Sequence, residues 1–275
     1  DGLHNPHVEG SGVNPPPGYD VTVKAGEFIM GYPDENGQTA TSPEPEVLRR
    51  NGTFIAFRKF YMRVAAFRKF LREQASSPEE EELIAAKMVG RWRSGAPLVL
   101  APEHDDPKLG TDPNRNNDFS YSDDMAGLKC PFSAHIRRVN PRDALNDDLV
   151  AVNLHNIIRR GTNYGPPLPE GILEDDGVQR GGVFLLVGAY IKRQFEFVQS
   201  QWVTDGNFIR QGTEQDPIIG NNEGEGIFTI PKRPVRRRLH GLPRFVVVRG
   251  GEYFFMPGLR ALKWLAMLDD KDQSS

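Results

Sequence analysis

An α+β fold is the class this sequence predicts, and three observations predict it. Residues 53–60 (TFIAFRKF) are β-branched and aromatic, and Val64, Phe67, Phe70 and Leu71 follow at helical spacing, a strand-then-helix unit. Residues 181–189 (GGVFLLVGA) form a near-continuous apolar run, long enough for a buried strand. Residues 245–256 read as a β-hairpin turned at Gly250-Gly251, and Pro257-Gly258 then precedes a helix carrying Leu262, Leu265 and Leu268. Strands and helices thus alternate irregularly, ending in a hairpin and a helix.

The remaining elements follow in order. Residues 1–20 are rich in Gly, Pro, Asn and His and read as loop. His4, His7 and Glu9 could be drawn as a metal site, but a Pro-interrupted loop favours solvated side chains. Residues 24–32 suggest an extended run ending in a tight turn at Asn36-Gly37. Ser77-Pro78-Glu79-Glu80 combines an N-cap serine, a proline at the first helical position and a capping-box glutamate, so a helix starts there with Leu83, Ile84 and Met88 on its buried face. Residues 102–124 are a long Asp-, Asn- and Pro-rich loop without the ordered oxygen pattern of a calcium loop. Ile157-Ile158 suggests a strand leading Arg159 or Arg160 into the core, and a further helix runs from about residue 192 to Trp202.

Composition narrows the classes. The 275 residues are 38% apolar and 26% charged with a formal charge of -3, the balance of an ordinary soluble domain that could be single. No apolar run approaches the roughly 20 residues of a membrane helix, so no membrane partner is expected. Cys130 is the single cysteine, which excludes an intrachain disulfide and a multi-cysteine metal site and suits a cytoplasmic setting. The one basic cluster, KRPVRRR at 232–238, lacks an interleaved aromatic platform, so nucleic acid is not expected. G-x-G-x-x-G and Gly-x-Ser-x-Gly patterns are absent.

The chemistry centres on residues 130–142, CPFSAHIRRVNPR. His135 stands among apolar and small residues with Arg137 and Arg138 just beyond it, an arrangement open to a metal ligand with cations near an anionic group. Haem would suit it, since haem iron takes one protein imidazole and propionates attract arginine. A hydrogen-bonded core histidine is the plainer reading of the same residues.

CPFSAHIRR with NPR, then GEFIMGYPDENG, DFSYSDD, HNIIRRGTNYGP, DDGVQRGGVFLL, RQFEFVQSQW and DPIIG together resemble the dye-decolourising (DyP-type) haem peroxidases over nearly the whole chain. The resemblance implies a ferredoxin-like antiparallel sheet with helices. Residues 1–275 would be the C-terminal, haem-bearing half of a two-half protein, with residues 1–52 a loop-rich distal segment and an N-terminal half lying outside the sequence. It implies haem b, with His135 as the iron ligand and Asp216 accepting the histidine's other ring proton; Glu196 is the alternative acceptor. Asp1-Gly2 resembles the end of the family's Gly-x-x-Asp-Gly motif, which makes Asp1 the proton shuttle, while Arg159 would stabilise the breaking peroxide bond. Phe184 and Leu186 would line the distal side and Arg138 would stand near a propionate. Tyr164 and Trp202 match positions where the family can relay electrons. Hydrogen peroxide and an organic reductant are the implied partners, with a homo-oligomer left open. Asn163 departs from the proline that relatives often carry there. A haem-binding protein without turnover, or a structural module with a satisfied histidine, are the other functional classes.

Overall fold

The computed structural model describes residues 7–10, 22–145 and 152–272. Its centre is a four-stranded sheet built from β1 (Thr53–Met62), β2 (Ile158–Tyr164), β3 (Gly181–Gly188) and, after a separate pair β4 (Gly226–Ile230) and β5 (Arg237–Leu242), β6 (Val246–Met256). The order is β2-β3-β1-β6 and every neighbour is antiparallel. The strand paired to both β1 and β2 is inserted between them, so the connection from β1 to β2 crosses over a third strand, the split βαβ of ferredoxin-like folds. The expected fold class is the one observed.

β1 is followed at once by α1 (Val64–Gln74), and α2 (Pro78–Val89) begins where the capping signal placed it. Ser77 Oγ accepts the Glu80 amide at 3.2 Å. Phe70 and Leu71 of α1 and Ile84 and Met88 of α2 bury against Phe228 and Leu239 of the β4–β5 pair. Phe60 and Met62 of β1 pack against that cluster, which therefore covers one end of one sheet face.

Three expectations are corrected. Residues 245–256 form one strand rather than a hairpin: Gly250 and Gly251 pair with Lys59 and Arg58 of β1, and a Cβ on Gly251 would come 2.6 Å from Arg58 Nη1. Gly251 makes room for Arg58 within the strand, a Cβ on Gly250 would meet nothing, and neither glycine turns the chain. β2 is an edge strand and Arg159 and Arg160 are exposed on it, so neither enters the core. Residues 24–32, expected as extended, contain a 3-10 turn at Ala25–Glu27. The helix from residue 192 is π-helical in two stretches, Lys192–Glu196 and Val198–Thr204, called here the arm. Among the described residues no helix is long and apolar enough to cross a membrane.

Candidate functional site

His135 opens α3 (His135–Val139), a single turn. Gly90, in the left-handed conformation that ends α2, lies beneath it: a Cβ there would come 2.4 Å from Ile136 Cγ1. Only glycine combines that backbone angle with that approach.

The His135 Nδ1 is 2.8 Å from Asp216 Oδ2. A carboxylate only accepts, so Nδ1 donates, and in the neutral imidazole the lone pair then lies on Nε2. Asp216 is fully buried, and its other oxygen accepts the amides of Ile218 and Ile219 at 2.8 and 2.9 Å. Burial alone would raise the Asp216 carboxyl; His135 and those two amides outweigh it and hold the group below the usual carboxylate range. Gly220 permits the tight turn that aims both amides, since a Cβ would come 2.4 Å from the Asp216 carbonyl. Glu196 does not contact His135; its Oε1 accepts from the Tyr253 hydroxyl at 3.0 Å.

Behind His135 the two arginines are structural. Arg138 is fully buried and gives Nε to the Trp202 carbonyl at 2.5 Å, Nη1 to that of Glu214 at 2.8 Å and Nη2 to that of Asp205 at 2.6 Å. That corrects its expected place beside a propionate: every nitrogen of its guanidinium is turned to the chain. Arg137 is also fully buried, its Nη1 3.0 Å from Asp124 Oδ2 and 2.7 Å from the Cys130 carbonyl. Asp124 in turn accepts the amides of Lys129 and Cys130, fixing the approach to α3. Glu214, which the sequence reading missed, ties Ser133 at 2.8 Å to the Thr229 amide at 3.0 Å. Burial pushes the Cys130 thiol up to about 12, so it packs as an inert hydrophobe.

The other expected residues lie on the sheet. Arg159 of β2 stands opposite Leu186 of β3, Leu186 opposite Ala56 of β1, and Ala56 opposite Tyr253 of β6. Directly opposed residues share a face, so these four form one cross-strand row. In the adjacent row Phe184 opposes Arg58, and the Arg159 guanidinium lies 5.6 Å from the Phe184 ring centroid. The arm crosses this same face. Phe195 lies under the Arg58 guanidinium at 4.4 Å, and Gln194 fills the space a Cβ on Gly188 would need. Farther along the arm the Trp202 carbonyl receives Arg138, so α3 is held on the side of the sheet that bears Arg159, Phe184 and Leu186.

The relay candidates differ in setting. Trp202 is buried among His155, Phe197 and Phe208, with His155 stacked 3.8 Å on Phe197. Tyr164 donates to the Phe60 carbonyl at 2.9 Å. Asp1 and His4 lie outside the described residues.

The chain is 36% identical over 291 residues to dye-decolorizing peroxidase msp1 of Mycetinis scorodonius, across 96% of this chain and 55% of that protein. It is 37% identical over 285 residues to dye-decolorizing peroxidase AauDyP1 of Auricularia auricula-judae, across 95% of this chain and 54% of that protein. Among solved structures, an ancestral D-type dye-decolorizing peroxidase superposes with a TM-score of 0.80 at 34% identity, covering 96% of this chain and 60% of that one. The chain belongs to the dye-decolorizing peroxidase family.

No family model matches the chain. A dye-decolorizing peroxidase in complex with 2,6-dimethoxyphenol superposes with a TM-score of 0.79 at 32% identity, over 95% of this chain and 61% of that one. The chain spans about half the length of the curated dye-decolorizing peroxidases it matches. Glu214 had no signal of its own in the sequence, and the partners of Arg138 were not readable there: Ser133 lies 81 residues from Glu214 and Trp202 lies 64 from Arg138, which periodicity does not reach.

Proposed function

We propose that this chain is the haem-bearing part of a peroxidase that reduces hydrogen peroxide and oxidises phenols, dyes or other organic donors by single electrons. The observation that carries the reading is the His135–Asp216 pair, a free Nε2 whose ring is oriented by a fully buried carboxylate at 2.8 Å. Such a carboxylate fixes the tautomer and raises the basicity of a ligating imidazole. What supports haem b is the donor set: one imidazole backed by a buried carboxylate, with an apolar pair and an arginine together on one sheet face.

His135 would hold the iron through Nε2. Bound haem would supply the two-electron chemistry on peroxide and store the oxidising equivalents. Arg159 would stabilise the negative charge that develops as the peroxide bond breaks, without ever giving up its own proton. Asp1 would take a proton from the incoming peroxide and return it to the departing oxygen. Phe184 and Leu186 would exclude water from the reacting atoms. Arg138, committed to three carbonyls, is left out of the haem contacts.

An optical haem titration tests the reading. Saturable binding with a Soret band, lost in His135→Ala, followed by a spectral response to hydrogen peroxide that a reducing dye reverses, is the expected result. Binding without that peroxide response would leave a haem-binding protein without turnover, and a folded chain that takes up no haem would overturn the ligand assignment.

A further inference from the structure

We propose that Glu214 is a positioning residue for His135: it holds both ends of the histidine's segment in register with Asp216, and so sets how strongly Asp216 draws the His135 Nδ1 proton. The inference deepens the peroxidase reading above and rests on it, because a ligating imidazole becomes a stronger donor as its far nitrogen is held more firmly.

Residues 133–138 are joined to residues 214–216 by three contacts: the Ser133 hydroxyl donates to Glu214 Oε2, His135 Nδ1 to Asp216 Oδ2 and Arg138 Nη1 to the Glu214 carbonyl, each at 2.8 Å. Glu214 therefore grips the segment two residues before the histidine and three residues after it. Asp216 cannot follow a histidine that moves. Its amide donates to the Val203 carbonyl at 2.9 Å, and its own carbonyl accepts from Asn222 Nδ2 at 2.9 Å. With the acceptor fixed, the length of the His135–Asp216 bond is decided by where the segment stands.

Glu214 is itself anchored to β4. Its Oε2 also accepts the Thr229 amide at 3.0 Å, and its Oε1 accepts the Thr229 hydroxyl. Arg238 Nε lies 3.3 Å from that hydroxyl oxygen and can only donate, so the hydroxyl proton is turned to Glu214. Ser133, Glu214 and Thr229 are all buried, so water does not replace a partner that is removed. An apolar side chain of similar volume would fill the space without the cost of burying a carboxylate. What it could not do is hold Ser133 and Thr229 at once.

The test is a spectroelectrochemical titration of the full chain loaded with haem, made on folded, haem-saturated protein so that a loss of stability does not enter. Ser133→Ala removes one tie and leaves Glu214, His135 and Asp216 in place, and Thr229→Val removes the hydroxyl tie on the other side. Each should shift the ferric–ferrous potential in the positive direction, by less than Asp216→Asn does. Thr229→Ser keeps the hydroxyl and should restore the parent value. In the Asp216→Asn background, Ser133→Ala should add no further shift, because the path it acts through is already cut. A second readout needs no haem: the His135 Nδ1 proton, assigned by its loss in His135→Gln, should lie at low field in the proton NMR spectrum and move upfield in Ser133→Ala and Thr229→Val. Potential and resonance unchanged in both variants would overturn the positioning role and leave Glu214 a packing residue. A Ser133→Ala shift as large with Asp216→Asn as without it, or a parent spectrum lacking the low-field proton, would overturn it too. A parent chain that takes up no haem overturns the peroxidase reading, while the proton resonance still decides for or against Glu214.

Discussion

At the scale of single residues, the site depends on which groups are free and which are committed. Asp216→Asn keeps the shape of the side chain but removes the charge that orients His135. Its haem affinity should fall about 10–100-fold, measured by optical titration. Arg159→Leu should leave haem affinity near the parent value and slow the reaction with hydrogen peroxide about 100–1,000-fold in stopped-flow measurements. Arg159→Lys should recover part of that rate, because it restores charge without the planar fork. His135 was legible as a ligand candidate from its neighbours, and Asp216 only through the ordered motifs, because 81 residues separate the pair. Arg138 was misjudged for a physical reason: adjacent arginines look alike in a sequence, and only the fold shows that three carbonyls surround this one.

At the scale of elements, local chemistry was readable wherever it acted within a few residues. The Ser77 cap and the proline behind it fixed the start of α2. The strand at Val246–Met256 was not readable, since paired glycines signal a turn, and the pairing of Gly250 and Gly251 with Lys59 and Arg58 that holds them extended comes from the far end of the chain. The β4–β5 pair was likewise missed, because its pairing across the KRPVRRR segment leaves no turn signal of a tight hairpin. Gly90 links an element end to the site. Gly90→Ala places a side chain at φ +94 and against Ile136. It should destabilise the chain by about 1–3 kcal/mol in urea unfolding, with a matching loss of haem affinity as α3 is displaced.

At the scale of the whole molecule, GEFIMGYPDENG is anchored to the arm through Arg193, whose guanidinium meets Glu27 at 2.8 Å and Asp34 at 2.9 Å. Both carboxylates are buried. For Asp34, burial is outweighed by the Gln38 amide and Arg193, and its carboxyl is lowered from 3.8, so its contribution is present above that value and is lost as pH falls through the folded value. For Glu27 burial prevails over Arg193 and the carboxyl is raised from 4.5, so its contribution is present below that value and is lost as pH rises through the folded one. Arg193→Met removes the cation that favours ionisation of both. Both folded carboxyls then rise, and the variant's deficit should grow with pH, reaching about 3–5 kcal/mol at neutrality and shrinking near pH 4 in urea melts.

The arm has one more consequence. Its first stretch rests on the sheet at Phe195 and its second receives Arg138 behind His135, so it ties the sheet to the segment that carries the histidine. Its winding therefore sets how those two parts are placed relative to each other. In the π turns, Glu196 binds back to Ile191 and Asp205 to Ser200, one residue farther than in an α-helix. Deleting one residue between Phe197 and Trp202 would tighten that winding and rotate everything beyond it by about 100°. The Trp202 carbonyl would swing away from Arg138, and the segment bearing His135 would lose that anchor although the histidine and its own neighbours stayed the same. The length of a helix that does not carry His135 would thus decide where His135 stands.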